Sequence, residues 1–198
     1  MIVCSFRLQA QTIGEWLALP PVPVEMPAFG SVKNVEGKTF TSSQLLTSSV
    51  FNIENFTPEA DLRELQFHSL VWQEAAVNEG VVTSGYTGNT PAIVVSAVYA
   101  ANTQWMSGKL EFNFHGDAEV YVDGVKKITY TGHNGTEAAK RDCSLEWVPG
   151  KHVIIVKSLA TGNNDKLFSA SYTADAAFSE APVHFTLSPK RGKNILDV

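Results

Sequence analysis

The chain has 198 residues, a length that one β-sandwich domain can fill, and 44% of them are hydrophobic, which is enough to form a core. Its 15 basic and 20 acidic residues give a net charge of −5, so no basic face for nucleic acid is expected. No apolar run reaches the roughly 20 residues needed to cross a membrane, so we expect no membrane insertion. Two cysteines, Cys4 and Cys143, are too few for a disulfide framework and lack the spacing of a zinc site, which leaves open a single bridge between them.

The first ten residues allow two interpretations. Residues 1–6 are mostly apolar, and Ala10 is a small residue directly before Gln11. This pattern resembles the end of a secretory signal peptide, which would place the protein in a secreted or periplasmic compartment. An ordinary N-terminal strand explains the same residues equally well, and both interpretations stay open.

Residues 11–71 show no regular alternation of apolar and polar residues. Three prolines between residues 20 and 23 remove backbone donors and fix φ, so this stretch is expected to lie extended across the domain. Hydroxyl caps predict two brief helices, one over residues 41–46 and one beginning near Thr57. We expect the whole segment to pack on the sandwich that follows it.

From residue 72 to residue 188 apolar and polar residues alternate with period two, which is typical of half-buried strands. Asp123-Gly124 supplies the two positive-φ positions of a tight hairpin turn. Short strands separated by Gly, Pro, Asn and Asp turns predict an all-β fold, an antiparallel β-sandwich of the jelly-roll type. Residues 189–198 are expected to form a C-terminal tail or linker.

Two stretches resemble known proteins. Residues 13–21 (IGEWLALPP) resemble the opening of N-terminal modules in secreted bacterial proteins, where a β-propeller follows, often with a prolyl-oligopeptidase-type peptidase or an amidohydrolase behind it. Residues 108–158 resemble the core of a galactose-binding-like jelly roll, with residues 120–124 (VYVDG) as its strand and turn. Pro20 departs from the glycine that the first pattern prefers. The propeller and hydrolase motifs have no counterpart in the chain, so the resemblance implies no peptidase activity here.

The sequence offers no catalytic constellation. It contains no G-x-S-x-G, H-E-x-x-H or phosphate-binding loop motif, and its histidines show no i, i+4 pair. Together with the resemblance, this predicts a non-catalytic accessory module of an exported bacterial protein that docks onto a partner hydrolase or propeller domain. The alternative is a carbohydrate-binding module that recognises a glycan through loop aromatics. Both leave the oligomeric state open.

A carbohydrate-binding module needs exposed aromatic rings that stack on sugars and polar side chains that bond to hydroxyls. Trp105 follows a polar stretch and Tyr86 lies between glycines, so both are candidate loop aromatics. Asn163 and Asp165 are candidate polar ligands in a neighbouring loop. Packing in the core or ordinary exposure explains the two aromatic residues as well.

No cofactor is predicted, and the further candidate is a structural calcium ion, because jelly-roll folds often carry one in a loop. Gly116-Asp117 and residues 163–165 supply oxygen donors. Neither loop alone provides the roughly six to eight oxygens that calcium takes. Turn chemistry, in which Asp and Asn side chains bond the local backbone, explains the same residues.

Overall fold

The computed structural model describes residues 10–24, 42–47, 51, 53, 56–67, 69–132, 137–162, 164–178 and 183–189. These residues form two antiparallel sheets, so the predicted all-β sandwich is confirmed. Sheet A contains β1 (Gln11–Thr12), β7 (Ala76–Asn78), β8 (Val81–Thr83), β10 (Met106–Phe114), β13 (Ala139–Trp147) and β15 (Lys166–Ala174). Sheet B contains β2 (Leu17–Ala18), β3 (Val22–Pro23), β6 (Gln73–Glu74), β9 (Ala92–Asn102), β11 (Ala118–Val122), β12 (Val125–Tyr130), β14 (Gly150–Ala160) and β16 (His184–Thr186). A separate hairpin consists of β4 (Gln66–Phe67) and β5 (Leu70–Val71).

Helical structure is brief. The helix predicted over residues 41–46 is confirmed as α1, Ser42–Thr47. The helix predicted near Thr57 begins later, as a single 3-10 turn over Leu62–Glu64, because Asp61 rather than Thr57 caps it by accepting a hydrogen bond from the amide of Arg63 at 3.2 Å. Another 3-10 turn covers Ala176–Phe178. Within the described part of the chain, no helix has the length and apolar character required to cross a membrane.

The strand order places the two longest strands, β9 and β14, side by side in the interior of sheet B. In sheet A the order is β13-β10-β15-β8-β7, with β1 paired to β15. In sheet B it is β12-β11-β14-β9-β2-β6, with β3 and β16 also paired to β9. The strands β9 and β14 pair along their whole length, from Asn102 opposite Gly150 to Ala92 opposite Ala160. β6 and β7 therefore end their two sheets on the same side of the sandwich, where the chain crosses between them.

Two hydrophobic clusters hold the fold together. The inner cluster fills the space between the sheets and is built on large aromatic side chains such as Phe112, Phe114 and Phe168. The outer cluster lies on the opposite face of sheet B, where residues of β9 and β14 such as Val95 and Ile155 are also buried. The cover is supplied by buried side chains from the N-terminal part of the chain, namely Leu17, Leu19, Leu46, Phe51, Ile53, Phe56, Leu62 and Trp72.

A buried ion pair interrupts the apolar outer face of sheet B. Glu119 of β11 stands opposite Lys157 of β14, and both side chains are buried although the alternating sequence predicts an exposed Glu119. The carboxylate of Glu119 accepts hydrogen bonds at 2.7 Å from Lys126 Nζ and Tyr121 Oη, and Lys157 Nζ lies 3.4 Å away. Burial alone would raise the pKa of Glu119, but these hydrogen bonds and the charge of Lys157 bring the pKa below its ordinary value.

The hairpin predicted at Asp123-Gly124 is confirmed. It joins β11 to β12, and the two residues have φ values of 51° and 78°. The Asp123 carboxylate accepts a hydrogen bond from the amide of Val153 at 2.8 Å and lies 2.7 Å from Nδ1 of His152. The turn is therefore tied to the start of β14 by a side chain as well as by its own backbone.

We expect Glu119→Gln to lower the free energy of unfolding at pH 7 by about 3 kcal/mol, because Lys157 then stays buried without a charged partner. Since the folded-state pKa of Glu119 lies below its ordinary value of 4.5, its contribution is complete above that pH and declines as the pH falls further. Urea unfolding of both proteins from pH 7 to pH 3 measures the difference. The difference in the free energy of unfolding between the two proteins should become smaller below pH 4.5. A difference that does not change with pH would contradict the role given to the charge of Glu119. The exposed Glu146→Gln serves as the control.

At the hairpin, we expect Asp123→Ala to lower the free energy of unfolding most, Asp123→Gly to lower it less, and Asp123→Asn to lower it least. Alanine loses the hydrogen bonds to β14 and also resists positive φ, whereas glycine loses only the bonds. Asparagine tolerates the conformation and keeps an acceptor for Val153. Thermal unfolding should show a deficit of about 2 to 3 kcal/mol for the alanine variant. Equal stability of the alanine and glycine variants would mean that the positive φ costs nothing here.

Candidate functional site

The loops of the sandwich gather at its two ends. The Gly88 end consists of loops 84–91, 115–117 and 161–165, which connect β8 to β9, β10 to β11 and β14 to β15. The Asp123 end consists of turns 103–105, 123–124 and 148–149. The eleven-residue strand β9 runs from one end to the other. At about 3.3 Å per residue, the two ends lie roughly 30 Å apart.

The structure separates the residues predicted to bind a glycan. Tyr86 and Asp165 lie at the Gly88 end, whereas Trp105 lies at the Asp123 end. Asn163 lies outside the described residues. One sugar ring cannot touch both aromatic residues, so each stays a prediction only as part of a separate site.

Tyr86 is half-buried against the inner cluster. Its hydroxyl lies 3.2 Å from the hydroxyl of Thr90, and its amide donates to the Ser84 hydroxyl at 3.1 Å. The ring lies against Gly88, where a Cβ would come within 2.2 Å of the tyrosine oxygen. The side chain of Tyr86 therefore packs across Gly88 and stabilises the conformation of its own loop.

The two loops considered for calcium are neighbours at the Gly88 end. Asn164 donates from its side-chain amide to the carbonyl of His115 at 2.8 Å and accepts from the amide of Lys166 at 3.1 Å. Asp117 is buried, and its carbonyl accepts from the amide of Leu159 at 2.9 Å. In the described ranges no three His, Cys, Asp or Glu side chains come together in a way that could hold a metal ion. A calcium site there stays a prediction.

Trp105 is 46% exposed at the Asp123 end. Its ring meets Phe178 edge-on, with centroids 5.1 Å apart. Met106 pairs with Trp147 at the ends of β10 and β13, and Trp105 directly precedes the first while the exposed Val148 directly follows the second. The side chain of Asn102 donates to the carbonyls of Gln104 at 2.8 Å and Val148 at 3.1 Å, which holds both turns in place.

A stack of three rings lies behind these turns. Trp147 of sheet A stacks on His152 of sheet B at 4.8 Å and on Tyr172 of sheet A at 5.7 Å. His152 Nδ1 contacts Asp123, and its Nε2 lies 3.0 Å from the carbonyl oxygen of Val148. Both nitrogens therefore face acceptors, and the stack ties the 123–124 and 148–149 turns to one rigid base.

A pocket of about 470 Å³ opens on the side of the sandwich, at the edge formed by β6 and β7. We call it the edge pocket, and its main lining residues are Glu15, Trp16, Arg63, Glu74, Leu187 and Ser188. Its floor exists because the chain crosses from sheet B to sheet A at Ala75, whose amide donates to the carbonyl of Trp16 at 2.8 Å. The indole of Trp16 is buried beneath, and its Nε1 donates to the carbonyl of Ile13 at 3.0 Å.

One wall of the edge pocket is fixed by Tyr99 of β9. Its buried hydroxyl accepts a hydrogen bond from the amide of Leu62 at 2.9 Å and donates to the carbonyl of Ala60. Burial raises the pKa of Tyr99 to about 12, so the hydroxyl keeps its proton for this bond at neutral pH. The 3-10 turn that presents Arg63 is therefore fastened to the central strand of sheet B.

The polar groups of the edge pocket are mostly acidic. Arg63 bonds to the carboxylate of Glu74 at 2.9 Å, which pairs one cation with one anion. Among the described residues, Glu15 has no hydrogen-bond or ion-pair partner, so its carboxylate is available to a ligand. Asp61 stands beside them and accepts from the hydroxyl of Ser188 at 3.3 Å. Sequence reasoning did not predict this site, because its residues are spread from position 15 to position 188 and form no motif.

No family model matches the sequence, and no curated protein matches it. Among solved structures, the fold is similar to part of a beta-glucosidase from Kluyveromyces marxianus in complex with glucose, with a TM-score of 0.44 and 10% identity over 91% of this chain. It is also similar to part of a GH31 alpha-xylosidase from Xanthomonas citri, with a TM-score of 0.43 and 12% identity over 91% of this chain. The chain spans 17% of the length of each of these proteins. At these TM-scores the matches identify neither a family nor a function, and the resemblance to propeller-associated modules stays a prediction.

We expect Gly162→Ala to destabilise the protein by about 2 kcal/mol, because its Cβ would lie in close contact with backbone that has no room to move. That Cβ would stand 2.2 Å from the carbonyl oxygen of Gly88, where the loop that contains Gly162 meets loop 84–91. Gly14→Ala is the matched control, since a Cβ there meets nothing within 4 Å. Chemical denaturation should leave the control within about 0.5 kcal/mol of the parent protein. Equal stability of the two variants would show that the loops do not depend on this contact.

Proposed function

We propose that the chain is a non-catalytic accessory β-sandwich module of an exported bacterial protein, and that it docks onto a partner protein domain through its Asp123 end. The observation that carries the proposal is a set of exposed apolar side chains, Trp105, Val125 and Val148, which we call the Asp123-end patch. Trp105 and Val148 lie on two turns, each next to one member of the Met106–Trp147 pair. Val125 follows the hairpin turn that His152 and Asp123 connect to Val148.

Large hydrophobic side chains with this much exposure are uncommon elsewhere among the described residues. Five large hydrophobic side chains are exposed among the described residues, and three of them belong to this patch. Trp105, Val125 and Val148 expose 46%, 57% and 64% of their surface. Single exposed apolar residues are ordinary, whereas several at one place mark an interaction surface. Tryptophan is also among the residue types that dominate binding energy at interfaces.

The base beneath the patch supports the same role. Trp105 is held by Phe178, and Val148 is held through its carbonyl by Asn102 and His152. Side chains that are already ordered lose little conformational entropy when they bind. A partner would therefore meet a preformed surface.

The His152–Asp123 pair also favours a non-catalytic role. A catalytic histidine beside a carboxylate needs its second nitrogen open to a nucleophile or a substrate. In this chain that nitrogen faces the carbonyl oxygen of Val148, and the ring is buried under Trp147. The arrangement holds two turns together instead.

Docking can be tested with a propeller or hydrolase domain encoded next to the gene for this chain, purified as a separate chain. We expect saturable binding by biolayer interferometry, and we expect the Trp105→Ser/Val148→Ser double variant to bind about tenfold more weakly. The matched control is Leu65→Ser/Val71→Ser, which removes the other two exposed apolar side chains. It should bind like the parent protein.

Two results would overturn the proposal. One is an equal loss of affinity in the patch variant and in the control, which would show that the Asp123 end has no special part. The other is hydrolysis of peptide or ester substrates by the purified chain that a single substitution abolishes, because a module with that activity is an enzyme.

A further inference from the structure

We propose that the edge pocket binds a polyhydroxylated ligand that carries a primary amine, that is, an amino sugar or a short amino-sugar oligomer. This site is separate from the Asp123-end patch, since it lies on the β6 and β7 edge of the sandwich and not on the turns at its end. It does not depend on docking. The inference comes from the size, the hydrogen-bonding groups, the charge and the rigidity of the pocket.

Its volume of about 470 Å³ lies within the range of roughly 300 to 1,000 Å³ that small-molecule sites occupy. The groups that line it are of the kind that sugar hydroxyls need. Glu15 and Glu74 supply carboxylate acceptors, and Arg63 supplies guanidinium donors in a fixed fork. Sugar hydroxyls can donate hydrogen bonds to the carboxylates and accept them from the guanidinium, so a polyol satisfies both kinds of group.

The ring stacking that was expected for a glycan site is absent from this pocket. Trp16 lines it but is buried, with its indole meeting Phe168 edge-on at 4.9 Å in the inner cluster. Leu187 and Val77 add apolar surface that the C–H groups of a sugar can contact. A ligand here would be held chiefly through its polar substituents, which makes the charge of the pocket decisive.

The negative charge of the pocket favours a ligand that carries an amine. The guanidinium of Arg63 is paired with Glu74, so the Glu15 carboxylate is a surplus negative charge at the pocket wall. An acidic sugar would be repelled, a neutral one would gain only hydrogen bonds, and an ammonium group would gain an ion pair with Glu15 as well.

The recognition groups are held in place before a ligand arrives. Asp61 caps the turn that carries Arg63, and Tyr99 fastens that turn to β9. Glu15 directly precedes Trp16, whose carbonyl and indole are both hydrogen-bonded. The polar groups therefore stand on backbone that is already fixed, which lowers the entropic cost of binding.

The test is a titration of the full chain with trimers of glucosamine, N-acetylglucosamine and galacturonic acid, followed by amide NMR shifts. We expect shifts at residues 14–16, 63, 74–75 and 187–188. The glucosamine trimer should bind about two- to five-fold more tightly than its acetylated counterpart, the gain of a partly exposed ion pair. High salt should reduce this preference, because exposed charges are screened.

The Glu15→Gln variant should remove the preference for the amine while leaving the weaker binding of the acetylated trimer unchanged. Glu146→Gln, an exposed carboxylate on β13 at the far edge of sheet A, should bind like the parent protein. Equal affinity for the amine and its acetylated form would overturn the proposal, and so would tighter binding of the acidic trimer. Shifts confined to the loops of Tyr86 or Trp105, or no shift with any trimer, would overturn it too.

Discussion

The pairing of β9 with β14 is the constraint on which the rest of the molecule depends. These strands lie side by side over eleven residues in the middle of sheet B, and they are apolar on both faces. Antiparallel sheets commonly leave one face to water. Here sheet A covers one face, and residues from the N-terminal part of the chain, such as Leu62 and Trp72, cover the other. Without that second cover, a large apolar surface would be exposed, so the irregular segment is as necessary to the fold as sheet A.

Because both faces of sheet B are buried, the few polar contacts made there matter for stability. Glu119 and Lys157 stand on the covered face of sheet B, where each charge would be costly without the other. Asp123 and His152 occupy the end of the inner core, where they connect two turns that share no strand pairing. Tyr99 reaches out from β9 to the turn before Arg63. In each case a buried polar side chain decides where a surface segment is held.

The two surfaces with functional character arise in different ways. The Asp123-end patch consists of exposed apolar side chains in or next to the turns at one end of the sandwich, which also holds the ring stack. The edge pocket forms where the chain passes from one sheet to the other and cannot close the gap between them. The first surface is apolar, as the proposed docking requires, and the second is a polar pocket, as the proposed binding of a small hydrophilic molecule requires. Because they lie on different elements, one chain can carry both.

The sequence by itself determined the fold class, the hairpin at Asp123-Gly124 and the short helix near residue 45, because each follows from local alternation or turn chemistry. Tertiary structure alone decided that Glu119 is buried, since strand alternation predicts which face a side chain occupies but not whether that face is covered. The structure also shows that one strand, β9, separates Tyr86 from Trp105, which puts the two residues at opposite ends of the sandwich. The edge pocket was beyond sequence reasoning because Glu15, Arg63 and Ser188 become neighbours only when the strands between them pair.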